Sequence, residues 1–127
     1  MKYKSFDILP AFNKMIRQIE SKKLKFLLFI KGQKPFKCSG IPIALSRHKS
    51  SDDHVNYVIE FSKLRINRMT LRDGQVPVKD IRLLPINFEY INLIKHDPIL
   101  LDFFGNHIEN RRKYQPREVL KFKLMMQ

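Results

Sequence analysis

Basic side chains grouped near aromatic residues are the part of this sequence best suited to bind a ligand. Lysine and arginine neutralise phosphate groups, and an aromatic ring among them can stack on a nucleobase. We therefore predict a nucleic-acid contact in a strand connection and the exposed loop that follows it. The alternative is that Phe36 packs in the core and that its neighbouring lysines only keep a hairpin soluble. The predicted contact residues in this part of the chain are Lys31, Lys34, Phe36, Lys37, Arg47 and Lys49.

A second basic cluster follows near the C-terminus, where Arg111, Arg112 and Lys113 are consecutive. The planar guanidinium of arginine can clamp a phosphate through two parallel hydrogen bonds. Most of the cations in the first cluster are lysines, which act as point charges. The composition therefore predicts contact with the phosphate backbone and not the reading of a particular base sequence.

Residues with catalytic or metal-binding potential are present but do not form an established motif. His48 and His54 flank Asp52 and Asp53, which permits acid–base catalysis in a metal-free ribonuclease or a small metal site. Their spacing has none of the regularity of known zinc or protease motifs. We therefore predict no catalytic residue, no metal site and no cofactor, and the ribonuclease stays as the less favoured hypothesis.

Three arginines, Arg65, Arg68 and Arg72, are predicted to lie on later strands. Arg65 and Asn67 have the spacing that places two side chains on one face of a strand. Acidic residues lie nearby in the sequence, so structural salt bridges are the favoured interpretation of these arginines. The acidic candidates are Glu60, Asp73 and Asp80.

The net charge of the 127-residue chain is +13, and it is distributed unevenly. Residues 1–50 contain twelve lysines and arginines but only two acidic residues, whereas residues 51–80 are balanced. A clustered positive charge favours a polyanion as the partner, and DNA or RNA is the leading candidate. The chain is thus predicted to be a non-catalytic accessory protein. The alternative is an adaptor or inhibitor whose C-terminal helices dock on an acidic protein surface.

Cysteine content and hydropathy indicate the compartment. Cys38 is the only cysteine, so an intrachain disulfide is impossible. The longest apolar run, residues 26–30, is far shorter than the roughly 20 residues that span a bilayer. The first residues do not have the apolar stretch of a secretory signal. We therefore expect a cytoplasmic protein with no membrane contact.

The N-terminal half combines one helix with several strands. Phe12, Met15, Ile16 and Ile19 have the spacing of one buried helical face after Pro10, and the lysines that follow suit a solvated helix end. Pro42 lies in the second predicted strand after this helix, and a proline there predicts an edge position or a bulge. The predicted segments are a short strand at residues 3–8, the helix from Pro10, a central strand at 26–30, the Pro42 strand at 41–45, an exposed loop at 46–54 and a half-buried strand at 55–61.

The second half contains a hairpin and then helices. A change of phase between Asn67 and Arg68 predicts a bulge, and Asp73-Gly74 is the favoured hairpin turn. Asp97-Pro98 has the sequence of a helix N-cap, with Gly105 as the stop. The remaining helical predictions are a stripe of Phe88, Ile91 and Leu93 or Ile94, a cap of another helix at Asn106 with Glu109, and a final helix from Pro116.

This order of elements predicts an α+β fold. We expect an antiparallel sheet of about five strands, one N-terminal helix and several short C-terminal helices. The chain has no alternating βαβ pattern and no internal repeat. Residues 1–127 are accordingly predicted to form a single domain, with a possible subdivision into 1–84 and 85–127.

Overall fold

An amphipathic helix, α1 (Ile8–Ile19), covers one face of a sheet. The computed structural model describes residues 8–49 and 55–109. Phe12, Met15 and Ile19 are buried along one side of α1, as their spacing predicts. The predicted strand at residues 3–8 lies outside the described residues except for Ile8, which is helical.

The sheet has six antiparallel strands, which confirms the predicted α+β class. The strands are β1 (Leu24–Leu28), β2 (Phe36–Lys49), β3 (Val55–Ile66), β4 (Met69–Thr70), β5 (Asp73–Pro77) and β6 (Ile81–Leu83). Their order in the sheet is β4, β3, β2, β1 and β6, and β5 pairs with another part of β3. The short helices α2 (Phe88–His96) and α3 (Pro98–Phe104) complete the layer that α1 begins.

The core lies between the helices and one face of the sheet, because alternate strand residues point to opposite faces. Phe26 of β1 and Phe61 of β3 are fully buried, and their rings stack with centroids 5.1 Å apart. Phe12 of α1 meets Phe104 of α3 at 5.8 Å. The predicted central strand is confirmed between β2 and β6, although it ends at Leu28.

Pro42 was predicted to lie at a strand edge or at a bulge, and its position has both features. Strand β2 pairs with β1 only from Phe36 to Gly40, so one edge of β2 is without a β1 partner at Pro42. A register shift against β3 also occurs between Pro42 and Ala44. A residue that cannot donate a backbone hydrogen bond is tolerated in such a place.

The sequence predicted a hairpin turn at Asp73-Gly74, and this prediction is wrong. The chain reverses at Asn67 and Arg68, where Ile66 pairs with Met69 and Asn67 has a φ of 53°. This tight turn, and not the predicted bulge, explains the change of phase. Gly74 lies within β5, where an added Cβ would be 2.5 Å from a methyl carbon of Leu64. A larger residue at this position would therefore force the buried Leu64 side chain to move.

The C-terminal helices are short, and the first differs from its prediction. Tyr90, Ile91 and Ile94 are buried in α2, whereas Phe88 is 73% exposed. Asp97 caps α3 as predicted, because its carboxylate accepts hydrogen bonds from the backbone amides of Ile99 and Leu100 at 2.9 and 3.3 Å. No described helix is long and apolar enough to cross a membrane.

No helix begins at Asn106 in the described chain. Residues 105–107 form a 3-10 turn, and Ile108 makes a parallel bridge with Leu83 at the edge of the sheet. The amide of Glu109 donates to the carbonyl of Leu83. Pairing with β6 therefore overrides the weak capping pattern. The predicted helix from Pro116 lies outside the described residues.

Substitution Gly40→Ala tests the close packing under the stacked phenylalanines. The new methyl would be 2.8 Å from Cδ1 of the buried Phe61 ring, which cannot withdraw. We expect the free energy of unfolding to fall by about 1–3 kcal/mol in urea titrations. The matched control is Gly105→Ala, where the methyl meets Leu101 at an ordinary 3.6 Å and stability should be unchanged or slightly higher. Equal effects of the two substitutions would contradict this interpretation.

Candidate nucleic-acid interface

The predicted lysine connection exists between β1 and β2. Lys31 and Lys34 are exposed there. Phe36 is half-buried and packs against the hydrophobic core, which agrees with the alternative interpretation of this residue. Lys37 follows on β2 and points to the opposite face from Phe36.

Arg47 and Lys49 were predicted to lie in a loop, but they belong to the end of β2. They pair across the sheet with Tyr57 and Val55. The Tyr57 ring packs on Phe103 of α3, so Arg47 is on the helical side of the sheet, opposite to Lys37. Twelve residues of strand also separate Lys37 from Lys49, which corresponds to roughly 35–40 Å. The structure therefore does not bring the two halves of the first predicted cluster together.

The second predicted cluster, Arg111, Arg112 and Lys113, lies outside the described residues. The described chain ends beside β6, where Glu109 bonds to Leu83. The prediction that these three cations bind nucleic acid stays a prediction.

The structure instead places three cations around one groove on the sheet face that α1 leaves open. Lys25 of β1 pairs with Ser39 of β2, and Ser39 pairs with Arg65 of β3. Neighbouring strands are about 4.8 Å apart, so the backbones of Lys25 and Arg65 are separated by about 10 Å. The groove has a volume of about 400 Å³ and no acidic residue in its lining. The residues that line this basic groove are Lys25, Lys37, Cys38, Ser39, Arg65, Asn67, Leu84 and Ile86.

A smaller groove of about 180 Å³ adjoins the basic groove and shares Lys25 and Ile86 with it. Two more lysines line it, together with the exposed ring of Phe88. Its single acidic residue, Glu89, makes an ion pair with Lys22. The residues of this adjoining groove are Lys22, Lys23, Lys25, Ile86, Asn87, Phe88, Glu89 and Tyr90.

Asn87 fixes the wall that the two grooves share at Lys25. Among the described residues, Asn87 is the one polar residue that is buried, with 6% of its surface exposed. Its Oδ1 accepts from the amide of Lys25 at 2.8 Å, and its Nδ2 donates to the carbonyls of Lys25 and Leu84 at 2.5 and 2.8 Å. Because β6 ends at Leu83, the Asn87 side chain continues the hydrogen-bonding of β1 beyond the edge strand.

Tyr90 of α2 holds the residues that precede β1. Its hydroxyl donates to the carbonyl of Lys22 at 2.6 Å. Burial raises the pKa of Tyr90 to about 12, so the phenol keeps the proton that it donates. The backbone of β1 and the residues before it are therefore tied to α2 at Lys22 and at Lys25.

The salt bridges predicted for the arginines are not formed within residues 8–49 and 55–109. Glu60 accepts a hydrogen bond from Gln75, and the ion pair found there joins Lys22 to Glu89. Arg65 points into the basic groove next to Asn67, as their spacing allowed. Its guanidinium therefore has no carboxylate partner in the described chain.

The histidines and the cysteine of the described residues do not form a cluster. No group of three or more histidine, cysteine or acidic side chains could hold a metal there. His48, His96 and His107 lie on three different elements, and His54 is outside the described residues. Burial raises the pKa of the Cys38 thiol to about 11, which keeps it protonated near neutral pH.

Sequence reasoning missed Lys25 and Asn87, although a signal for Lys25 was present. The lysines after α1 were interpreted as a solvated helix end. Lys25 in fact interrupts the buried residues of β1 at the alternating position, which is the mark of a cation on the opposite face of the sheet. Nothing local distinguishes Asn87, because Lys25, which makes two of its three hydrogen bonds, is 62 residues away in the sequence.

Substitution Asn87→Ala tests the groove wall. It leaves the Lys25 amide without its buried acceptor, so we expect the free energy of unfolding to fall by about 1–3 kcal/mol in urea titrations. Asn92→Ala, on the exposed side of α2, is the control and should stay within about 0.5 kcal/mol of the parent. Indistinguishable stabilities of the two variants would show that Asn87 does not hold the wall.

His107 predicts a pH dependence of stability. Burial lowers its pKa and the nearby Arg82 charge acts in the same direction, while the Ile81 carbonyl opposes them. The unfolded chain then binds more protons than the folded one below about pH 6.5, so stability is complete above that pH and falls as the pH decreases through it. Urea unfolding as a function of pH should show this loss, and His107→Gln should reduce it. An undiminished loss in His107→Gln would contradict the assignment to this residue.

Comparison with known proteins gives no relative from which a function could be inferred. No protein-family model, curated protein or solved structure matches the chain. The case for a function therefore depends on the positions and charges of the residues that line the two grooves.

Proposed function

We propose that this chain is a non-catalytic nucleic-acid-binding protein that holds the phosphate backbone in the basic groove. One observation carries the proposal. Three cations from three neighbouring strands converge on a groove whose lining includes no acidic residue. Such a concentration of positive charge attracts a polyanion and favours the release of its counterions.

The neutral residues of the basic groove support the same ligand. Ser39 lies between the two outer cations, and Asn67 is beside Arg65. Hydroxyl and amide groups commonly donate hydrogen bonds to phosphate oxygens, and an arginine can add two parallel hydrogen bonds. The groove thus presents charged and neutral donors to a chain of phosphates.

The rigidity of the scaffold also supports the proposal. Lys25 and Arg65 project from β1 and β3, which both pair with β2, and the Asn87 side chain bonds the backbone of Lys25. A cation on a fixed strand loses less conformational freedom on binding than one on a mobile loop. The arrangement favours these residues over the exposed lysines at 31 and 34 as the main contacts.

The double variant Lys25→Gln/Arg65→Gln tests this role. We expect its affinity for DNA or RNA oligonucleotides to fall about tenfold to a hundredfold, because each charge-assisted hydrogen bond contributes about 1 kcal/mol or more. The slope of log affinity against log salt should become less steep by about 1.4 if two phosphate contacts are lost from a single strand. Fluorescence anisotropy across a salt series measures both quantities.

The matched control is Lys14→Gln/Arg17→Gln, which removes the same charges from the exposed side of α1 on the other face of the sheet. Its affinity and salt slope should stay close to those of the parent. Equal losses in the two double variants would mean that only net charge matters and would reject the groove as the site. Absence of salt-dependent binding to any oligonucleotide would reject the proposed function and favour an acidic protein surface as the partner.

A further inference from the structure

We infer that the ligand of this surface is a single strand, with one unpaired base stacked on the exposed ring of Phe88. This inference rests on the proposed function and names the ligand class. The phosphates would follow the lysines and Arg65 from the adjoining groove into the basic groove, while Phe88 receives a base at one end of that path.

Phe88 stands out among the aromatic residues by its exposure and its neighbours. Its ring is 73% exposed, although the sequence predicted a buried position. It lines the adjoining groove together with Lys22, Lys23 and Lys25. An apolar ring beside several cations is the combination that binds a base and its phosphate at the same time.

The other exposed aromatic residue of the described chain is already engaged. Phe29 follows β1 and is 41% exposed. The guanidinium of Arg82 lies over its ring, 5.7 Å from the centroid. That stacking covers one face of Phe29, whereas Phe88 retains most of its surface for a ligand.

The backbone that carries Phe88 is well fixed. Phe88 is the first residue of α2, and its amide donates to the carbonyl of Ile86 at 2.9 Å. The preceding residue, Asn87, is buried and bonded to β1. A ring on such a fixed backbone has only its own torsions to lose when a base stacks on it.

Lys25 and Ile86 line both grooves, so the proposed path of the strand runs from one groove to the other. From Phe88 the path passes Lys22 and Lys23, reaches Lys25, and then crosses β2 to Arg65. Among the described residues, Lys22 pairs with Glu89, whereas Lys23, Lys25 and Arg65 make no ion pair. The path can therefore neutralise successive phosphates of one strand.

A single strand suits this surface better than a duplex. The faces of bases within a duplex are stacked on one another, and exposing one costs a few kcal/mol. The bases of a single strand are available to a protein ring without that cost. Phe88 can therefore contribute to binding only when its base is unpaired.

Substitution Phe88→Trp converts the proposed stacking site into its own reporter. The chain contains no tryptophan, so the variant has one indole, at the site in question. We expect single-stranded thymidine or uridine oligonucleotides to quench its fluorescence, and a duplex of equal length to quench it much less. Comparing the DNA and RNA oligomers shows which sugar is preferred. The control is Leu101→Trp, on the exposed side of α3 and away from both grooves, which should not be quenched.

Affinity provides the second measurement. Phe88→Ala should weaken single-strand binding about 5- to 100-fold, the range observed when a stacking aromatic is removed. It should leave the salt slope unchanged, because no phosphate contact is lost. Thermal unfolding is expected to be little affected, since the ring is exposed.

Two results would overturn the inference while leaving the proposed function in place. One is unchanged affinity in Phe88→Ala together with weakened binding in Lys25→Gln/Arg65→Gln. The other is equal affinity for single strand and duplex with no quenching of the Phe88→Trp variant. Absence of binding to every oligonucleotide would overturn the inference and the proposed function together.

Discussion

The position of both grooves depends on one buried side chain. Asn87 bonds the amide and the carbonyl of Lys25 and also the carbonyl of Leu84. It thereby joins the start of α2 to β1 after the edge strand has ended. A buried amide must satisfy its hydrogen bonds because leaving them unmade costs free energy. This requirement fixes the direction in which the chain leaves the sheet.

The second constraint is the division of the sheet into two faces. The helices and the stacked rings of Phe26 and Phe61 occupy one face, where most of the buried residues lie. The opposite face has no helix of the described chain packed on it, so polar and basic residues can occupy its alternating positions. Lys25, Lys37 and Arg65 become neighbours because strand pairing aligns them. Their proximity is a result of register and not of sequence distance.

Packing also decided the places where local patterns were misleading. Asp73-Gly74 has the sequence of a tight turn, but the glycine serves the contact with Leu64 and the chain turns at Asn67. Phe88 has the spacing of a buried helical face, yet Tyr90 takes the buried position and donates to Lys22. In both cases a contact between residues distant in sequence or on another strand outweighed a pattern of a few residues.

The sequence by itself determined the α+β class, the buried face of α1, the irregularity at Pro42, the cap at Asp97 and the excess of positive charge. Each of these follows from local periodicity, backbone chemistry or composition, which require no knowledge of distant contacts. Only the tertiary structure decided which cations meet. It separated Lys37 from Arg47 and Lys49 by the length and alternation of β2, and it grouped Lys25 with Arg65 from positions 40 residues apart. Strand register and the bonds of Asn87 set that grouping, and neither can be read from the local pattern.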